Sequence, residues 1–101
     1  MSTDNQPVQS QIIVRRGMSE DAEHIIGFQQ NMAMETEGKT LDPDLIGAGV
    51  AAVFESDDKG FYLVAEAEGQ VVGSLLVTYE WSDWRNATFL WIQSVYVDAA
   101  W

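Results

Sequence analysis

With 101 residues, 16 acidic side chains and five basic ones, the chain holds one domain at most and carries a net charge of −11. That charge repels DNA, RNA and anionic lipid, so neither nucleic-acid binding nor attachment to a membrane surface is expected. Hydrophobic residues make up 47%, too many for a disordered chain, and there is no cysteine for disulfides, thiolate catalysis or sulfur-ligated zinc.

Residues Met1 to Ser10 are polar, include Pro7 and read as a flexible tail. They lack the basic and apolar regions of a signal peptide, and the longest uncharged apolar run, Val71 to Tyr79, is too short to span a bilayer. A cytoplasmic location is the expectation. Ile12-Ile13-Val14 followed by Arg15-Arg16-Gly17 predicts a short strand and a turn, because β-branched residues suit a pleated surface. Ser19 is the expected cap of a first helix, with Glu20, Asp21 and Glu23 in its first turn, where the helix dipole favours acids. Ala22, Ile25, Ile26, Phe28, Met32 and Ala33 follow the helical spacing of one buried face.

Glu35 to Lys39 reads as a loop, and Asp42-Pro43-Asp44 starts a second helix with a capping Asp and a proline at the first helical position. Leu45, Ile46, Val50, Val53 and Phe54 give that helix its buried stripe. Gly47 and Gly49 weaken it, which close packing or movement over a substrate would explain. Ser56 to Gly60 is turn chemistry. A hairpin follows, Phe61 to Glu66 and Val71 to Tyr79, joined at Glu68-Gly69, where glycine accepts positive φ. Gly73 inside the second of these strands signals a bulge or a close backbone approach. A polar connection, Glu80 to Thr88, leads to the final strand, Phe89 to Asp98. Early helices and late hairpin-linked strands, in the order β-α-α-β-β-β, predict an α+β fold with a mainly antiparallel sheet.

This order, with Gly60-Phe-Tyr-Leu-Val-Ala-Glu66, Gly69-Gln-Val-Val-Gly73 and Ile92-Gln-Ser-Val-Tyr-Val97, resembles the N-terminal half of the GNAT N-acetyltransferases over about residues 11–101. The resemblance implies acetyl-CoA as co-substrate and transfer of its acetyl group to a primary amine of a small molecule or peptide. It also implies that backbone groups of Val95, Tyr96 and Val97 bond the pantetheine arm of the cofactor. The family next places an Arg/Gln-x-x-Gly-x-Gly/Ala loop at a helix N-terminus, which cradles the pyrophosphate. Asp98-Ala-Ala-Trp101 departs from that pattern, so the expectation is a truncated form with impaired or absent activity.

Amine attack on a thioester needs a base for the ammonium proton. Glu80, at the end of the third strand, and Asp83, in the following connection, are the candidates. Glu35 is a candidate to hold a cationic amine, beside Trp81 and Trp84, whose rings suit both burial and cation contact. By alternation Trp91, Gln93, Val95 and Val97 share one sheet face, which puts Trp91 in the core. Arg85 is expected to pair with Asp83 or another surface acid. One histidine, His24, without cysteine makes a metal site unexpected. The competing reading is a non-catalytic module derived from the same fold, in which the exposed final strand pairs chains into a homo-oligomer.

Overall fold

The computed structural model describes residues 11–101; the predicted tail, residues 1–10, lies outside them. The elements run β1 (Ile12–Arg16), a 3-10 turn (Ser19–Asp21), α1 (Ala22–Glu37), α2 (Pro43–Glu55), β2 (Gly60–Ala67), β3 (Gln70–Ser82) and β4 (Ala87–Val97). The four strands form one antiparallel sheet in the order β1-β2-β3-β4, as the α+β reading predicts. Among the described residues no helix is long and apolar enough to cross a membrane.

Both helices lie on one face of the sheet. Ile25 of α1, Val50 of α2 and Tyr62 and Val64 of β2 form the buried core, with Ile26, Ile46, Val53, Phe54 and Leu76 packed around it. Ile25, Val50 and Val64 are essentially inaccessible, and each such side chain contributes about 1.5–3 kcal/mol on burial. Phe54 and Tyr62 meet with ring centroids 5.5 Å apart, fixing α2 against β2.

The start of α1 differs from the expected Ser19 cap. A 3-10 turn precedes the helix, and Asp21 at its end reaches back instead of capping α1: its Oδ2 accepts the Met18 N–H at 2.8 Å. The same carboxylate accepts two bonds from the Arg15 guanidinium, at 2.8 and 2.9 Å, while Arg15 Nε donates to Glu66 at 2.6 Å. Arg15 thereby ties β1 to the helix entrance and to β2. Asp21 is buried, and its hydrogen bonds from Arg15 hold its carboxyl below the usual carboxylate range despite the opposing effect of burial.

At its other end α1 runs on through Glu37 to Gly38, so residues 35–37 are helical where a loop was expected. α2 starts as predicted, with Asp42 Oδ1 accepting from the N–H groups of Asp44 and Leu45 at 2.9 and 3.3 Å. Gly47 and Gly49 do not pack closely against anything: a Cβ on either would enter open space.

The β2–β3 turn falls at Glu68-Gly69, both with positive φ (53° and 79°), as a two-residue hairpin of this hand requires. Gly73 lies where β4 approaches closely, and a Cβ there would sit 2.9 Å from the Tyr96 carbonyl oxygen. The β3–β4 hairpin is longer than expected. β3 continues through Glu80, Trp81 and Ser82, β4 begins at Ala87, and only residues 83–86 form the turn.

Candidate functional site

The geometry of β4 turns on one extra residue. Leu76 pairs with Ser94 but Val77 pairs with Ile92, so Gln93 is a bulge that reverses the side-chain alternation. Gln93 and Ser94 consequently point to the same face: the Gln93 amide donates to the Thr78 hydroxyl at 2.8 Å, and Ser94 Oγ accepts from Gln29 of α1 at 3.2 Å. Trp91, Gln93, Ser94 and Tyr96 thus face the helices, whereas Ile92, Val95 and Val97 face the other way. The expected common face for Trp91, Gln93, Val95 and Val97 is split in two by the bulge. Trp91 is also not core, since 52% of it remains exposed.

On the helix side of β4 two carboxylates are held by aromatic donors. Trp91 Nε1 donates to Glu80 Oε1 across the β3–β4 hairpin. Further along, the Tyr96 hydroxyl donates to Glu35 Oε2 at 2.8 Å, and its ring stacks on Phe28 with centroids 5.4 Å apart. The bond to Glu35 raises the Tyr96 phenol above its ordinary value, because the neighbouring carboxylate favours the protonated form. Glu35 sits in the last turn of α1 and Glu80 on β3, so both acids lie on the helix side of the sheet, each held by a donor from β4.

The other candidates are placed elsewhere. Trp81 lies on β3 opposite Thr88, not on a loop, and the alternation puts it on the sheet face away from Glu80. Trp84 is in the hairpin turn and 96% exposed. Asp83 opens that turn, its carbonyl accepting the Asn86 N–H at 3.4 Å. Arg85 takes the face of Phe89, at 5.9 Å from guanidinium carbon to ring centroid. Trp91 is the residue that sequence reasoning missed. Placing the turn at the Asp-Trp-Arg-Asn stretch of residues 83–86 sets Phe89 opposite Glu80 and brings Trp91 within reach of its carboxylate.

Val95, Tyr96 and Val97 lie on the outer strand of the sheet. Asp98 N–H donates to the Val72 carbonyl at 2.7 Å, which marks Asp98 and Val72 as a hydrogen-bonded pair. Such pairs alternate along an antiparallel ladder, so Tyr96 turns its backbone inward to Ser74, while the N–H and C=O groups of Val95 and Val97 point outward from the edge.

No family model matches the chain, and no curated protein matches it either. Solved structures do. A possible acetyltransferase from Clostridium difficile 630 is 48% identical and superposes with a TM-score of 0.85 over 89% of this chain and 59% of its own. A Staphylococcus aureus GNAT family acetyltransferase (17% identity, TM-score 0.67) matches 91% of this chain and 65% of its own. An aminoglycoside N-acetyltransferase in complex with CoA (14% identity, TM-score 0.71) matches 94% and 60%. This is the GNAT acetyltransferase fold, in its N-terminal part. The chain spans about three-fifths of the length of these relatives. Within the GNAT fold it supplies two helices that cover one sheet face and a strand, β4, that is the outermost of the sheet among the described residues.

Proposed function

We propose that the chain serves acetyl-CoA-dependent transfer of an acetyl group to a primary amine, with β4 as the dividing line between cofactor and acceptor. The outward N–H and C=O groups of Val95 and Val97 carry this reading. Among the described residues they form a row at a sheet edge with no strand beside it, and an extended arm with amides of its own, such as pantetheine, can add to such a row as a strand does. Bound there, acetyl-CoA would supply an acetyl thioester open to amine attack. The fit covers the arm and not the pyrophosphate: beyond β4, Asp98 accepts the Ala100 N–H at 3.0 Å and adds negative charge. Binding by this chain alone is correspondingly weak.

On the helix side, Glu80 is the proposed base for the ammonium proton, with Asp83 as the weaker candidate. The indole N–H of Trp91 holds the Glu80 carboxylate in place. Glu35 offers a second carboxylate for a cationic acceptor and Trp84 an exposed ring at the hairpin tip, whereas Trp81, on the opposite sheet face, is left out of this surface. A net charge of −11 concentrates cationic amines at such a surface and repels anionic ones. The proposed location is cytoplasmic, where acetyl-CoA is available.

Calorimetric titration with acetyl-CoA, followed by thermal melts, tests the proposal. Heat of binding and a raised melting temperature are expected, and a flat titration with an unchanged melt would contradict it. Where transfer to a diamine is measurable, Glu80→Gln should slow it by about 10²-fold or more, the ordinary contribution of a positioned base.

A further inference from the structure

Two carboxylates on the helix side of the sheet are held in place without being neutralised. Among the described residues the ion pairs join Arg15 to Asp21 and Glu66, Lys39 to Glu37 and Lys59 to Asp58, and none reaches Glu35 or Glu80. Neutral donors from β4 hold these two instead, the Trp91 indole N–H at Glu80 and the Tyr96 hydroxyl at Glu35. The bonds occupy Oε1 of Glu80 and Oε2 of Glu35, so each carboxylate keeps a second oxygen for a further donor. Tyr96 is itself fixed at its ring, which stacks on the buried Phe28.

We infer that Tyr96 sets the class of acceptor: by fixing Glu35 at a set distance from Glu80 it selects a linear diamine, with one ammonium at Glu80 and the other paired with Glu35. The inference rests on the reading of Glu80 as the base. Spacing carries it. Trp91 lies opposite Thr78 and Tyr96 opposite Ser74. Thr78 and Ser74 stand four residues apart on β3, roughly 13 Å at about 3.3 Å per residue. A carboxylate at each end suits a chain of that length with a cation at each end. Between them the sheet residues facing the helices, Thr78, Leu76, Gln93 and Ser94, carry no charge, so no nearer partner competes for either ammonium.

Length, not charge, is the signature of such a pair. A net charge of −11 attracts every cation alike. Once one ammonium is bound, however, pairing of the second becomes intramolecular, and its effective concentration falls to nothing when the linker is too short to span the two sites. A monoamine meets one carboxylate, and a short diamine reaches one at a time. Tyr96 acts through Glu35 and is a positioning residue. Both carboxylates are fixed by groups of this chain, on the side that its own helices cover.

Amine titrations of the intact 101-residue chain, followed by NMR at the Trp91 indole N–H, test this without acetyl-CoA. 1,10-Diaminodecane should bind about fivefold more tightly than either 1,4-diaminobutane, of equal charge, or decylamine, of equal length, as one added exposed ion pair allows. Glu35→Gln should abolish that preference. Tyr96→Phe, which keeps a ring to stack on Phe28, should reduce it while the thermal melt still reports a folded chain. Glu55→Gln, an equal loss of charge at the end of α2, should leave it unchanged. Equal affinity for the three amines would overturn the inference, as would equal losses in Glu35→Gln and Glu55→Gln, which mean that charge acts diffusely. A preference untouched by Tyr96→Phe would overturn the positioning role. Failure of the transfer reading shows separately, as a flat acetyl-CoA titration beside an intact diamine preference.

Discussion

Under α1 and α2 the sheet presents Tyr62 and Val64 to Ile25 and Val50, and these side chains are sealed from water, with Leu76 partly buried beside them. On its other side Leu63, Leu75, Ile92, Val95 and Val97 are of the same chemical kind, and among the described residues no helix lies above them. The contrast teaches that residue type does not decide which face becomes core. Local chain connectivity does: β1 leads directly into α1 and α2, which return to β2 on the same side. Stability of the described fold should therefore rest mainly on the covered face.

The largest expected effects are on the covered side. Ile25→Ala removes a wholly buried side chain and should destabilise the chain by about 2–5 kcal/mol in urea unfolding. The matching change on the open side, Ile92→Ala, should cost no more than about 0.5 kcal/mol at dilutions where the chain is monomeric. Equal losses at the two positions would erase the comparison.

Next in size is the Arg15–Asp21 pair at the entrance to α1. Arg15→Leu leaves a buried carboxylate without its guanidinium and should cost about 3 kcal/mol. The same pair sets a pH dependence. Asp21 has a lowered folded-state pKa, so its contribution is fully present above the ordinary carboxylate value near 4 and is lost as pH falls through the folded value. Urea midpoints measured from pH 6 downward should fall below about pH 4, and less steeply in Asp21→Asn.

A middle-sized effect is expected where β4 meets β3. Gly73→Val forces its side chain towards the Tyr96 carbonyl and should cost about 1–3 kcal/mol, displacing the strand that both proposals use. Smallest, and opposite in sign, are Gly47→Ala and Gly49→Ala. With open space beside each and helical backbone throughout, each should stabilise α2 by about 0.5–1 kcal/mol in thermal melts.

Much of this architecture was legible from residue patterns. The Asp42-Pro43 start of α2, the Glu68-Gly69 turn and the close approach at Gly73 are each written in a few adjacent residues with local physical causes. The features that escaped prediction depend on partners far along the chain. Asp21, not Ser19, organises the entrance to α1 because Arg15, already fixed by Glu66, supplies the counter-charge. The bulge at Gln93 adds one residue to a strand that stays apolar on either side of it, so no pattern marks it. That single residue moves Trp91 from the predicted core to the carboxylate of Glu80. It also separates Val95 and Val97 from Trp91. The candidate acids were therefore found by type and approximate position, while their aromatic partners, Trp91 and Tyr96, emerged only with the register.

The division of β4 into an outward backbone edge and an inward side-chain face is most directly tested by following backbone amide resonances while acetyl-CoA is added. The account predicts that the Val95 and Val97 amides shift progressively while the inward Tyr96 amide and the core amide of Ile25 respond far less. Shifts that spare Val95 and Val97, or none at all at saturating acetyl-CoA, would contradict it.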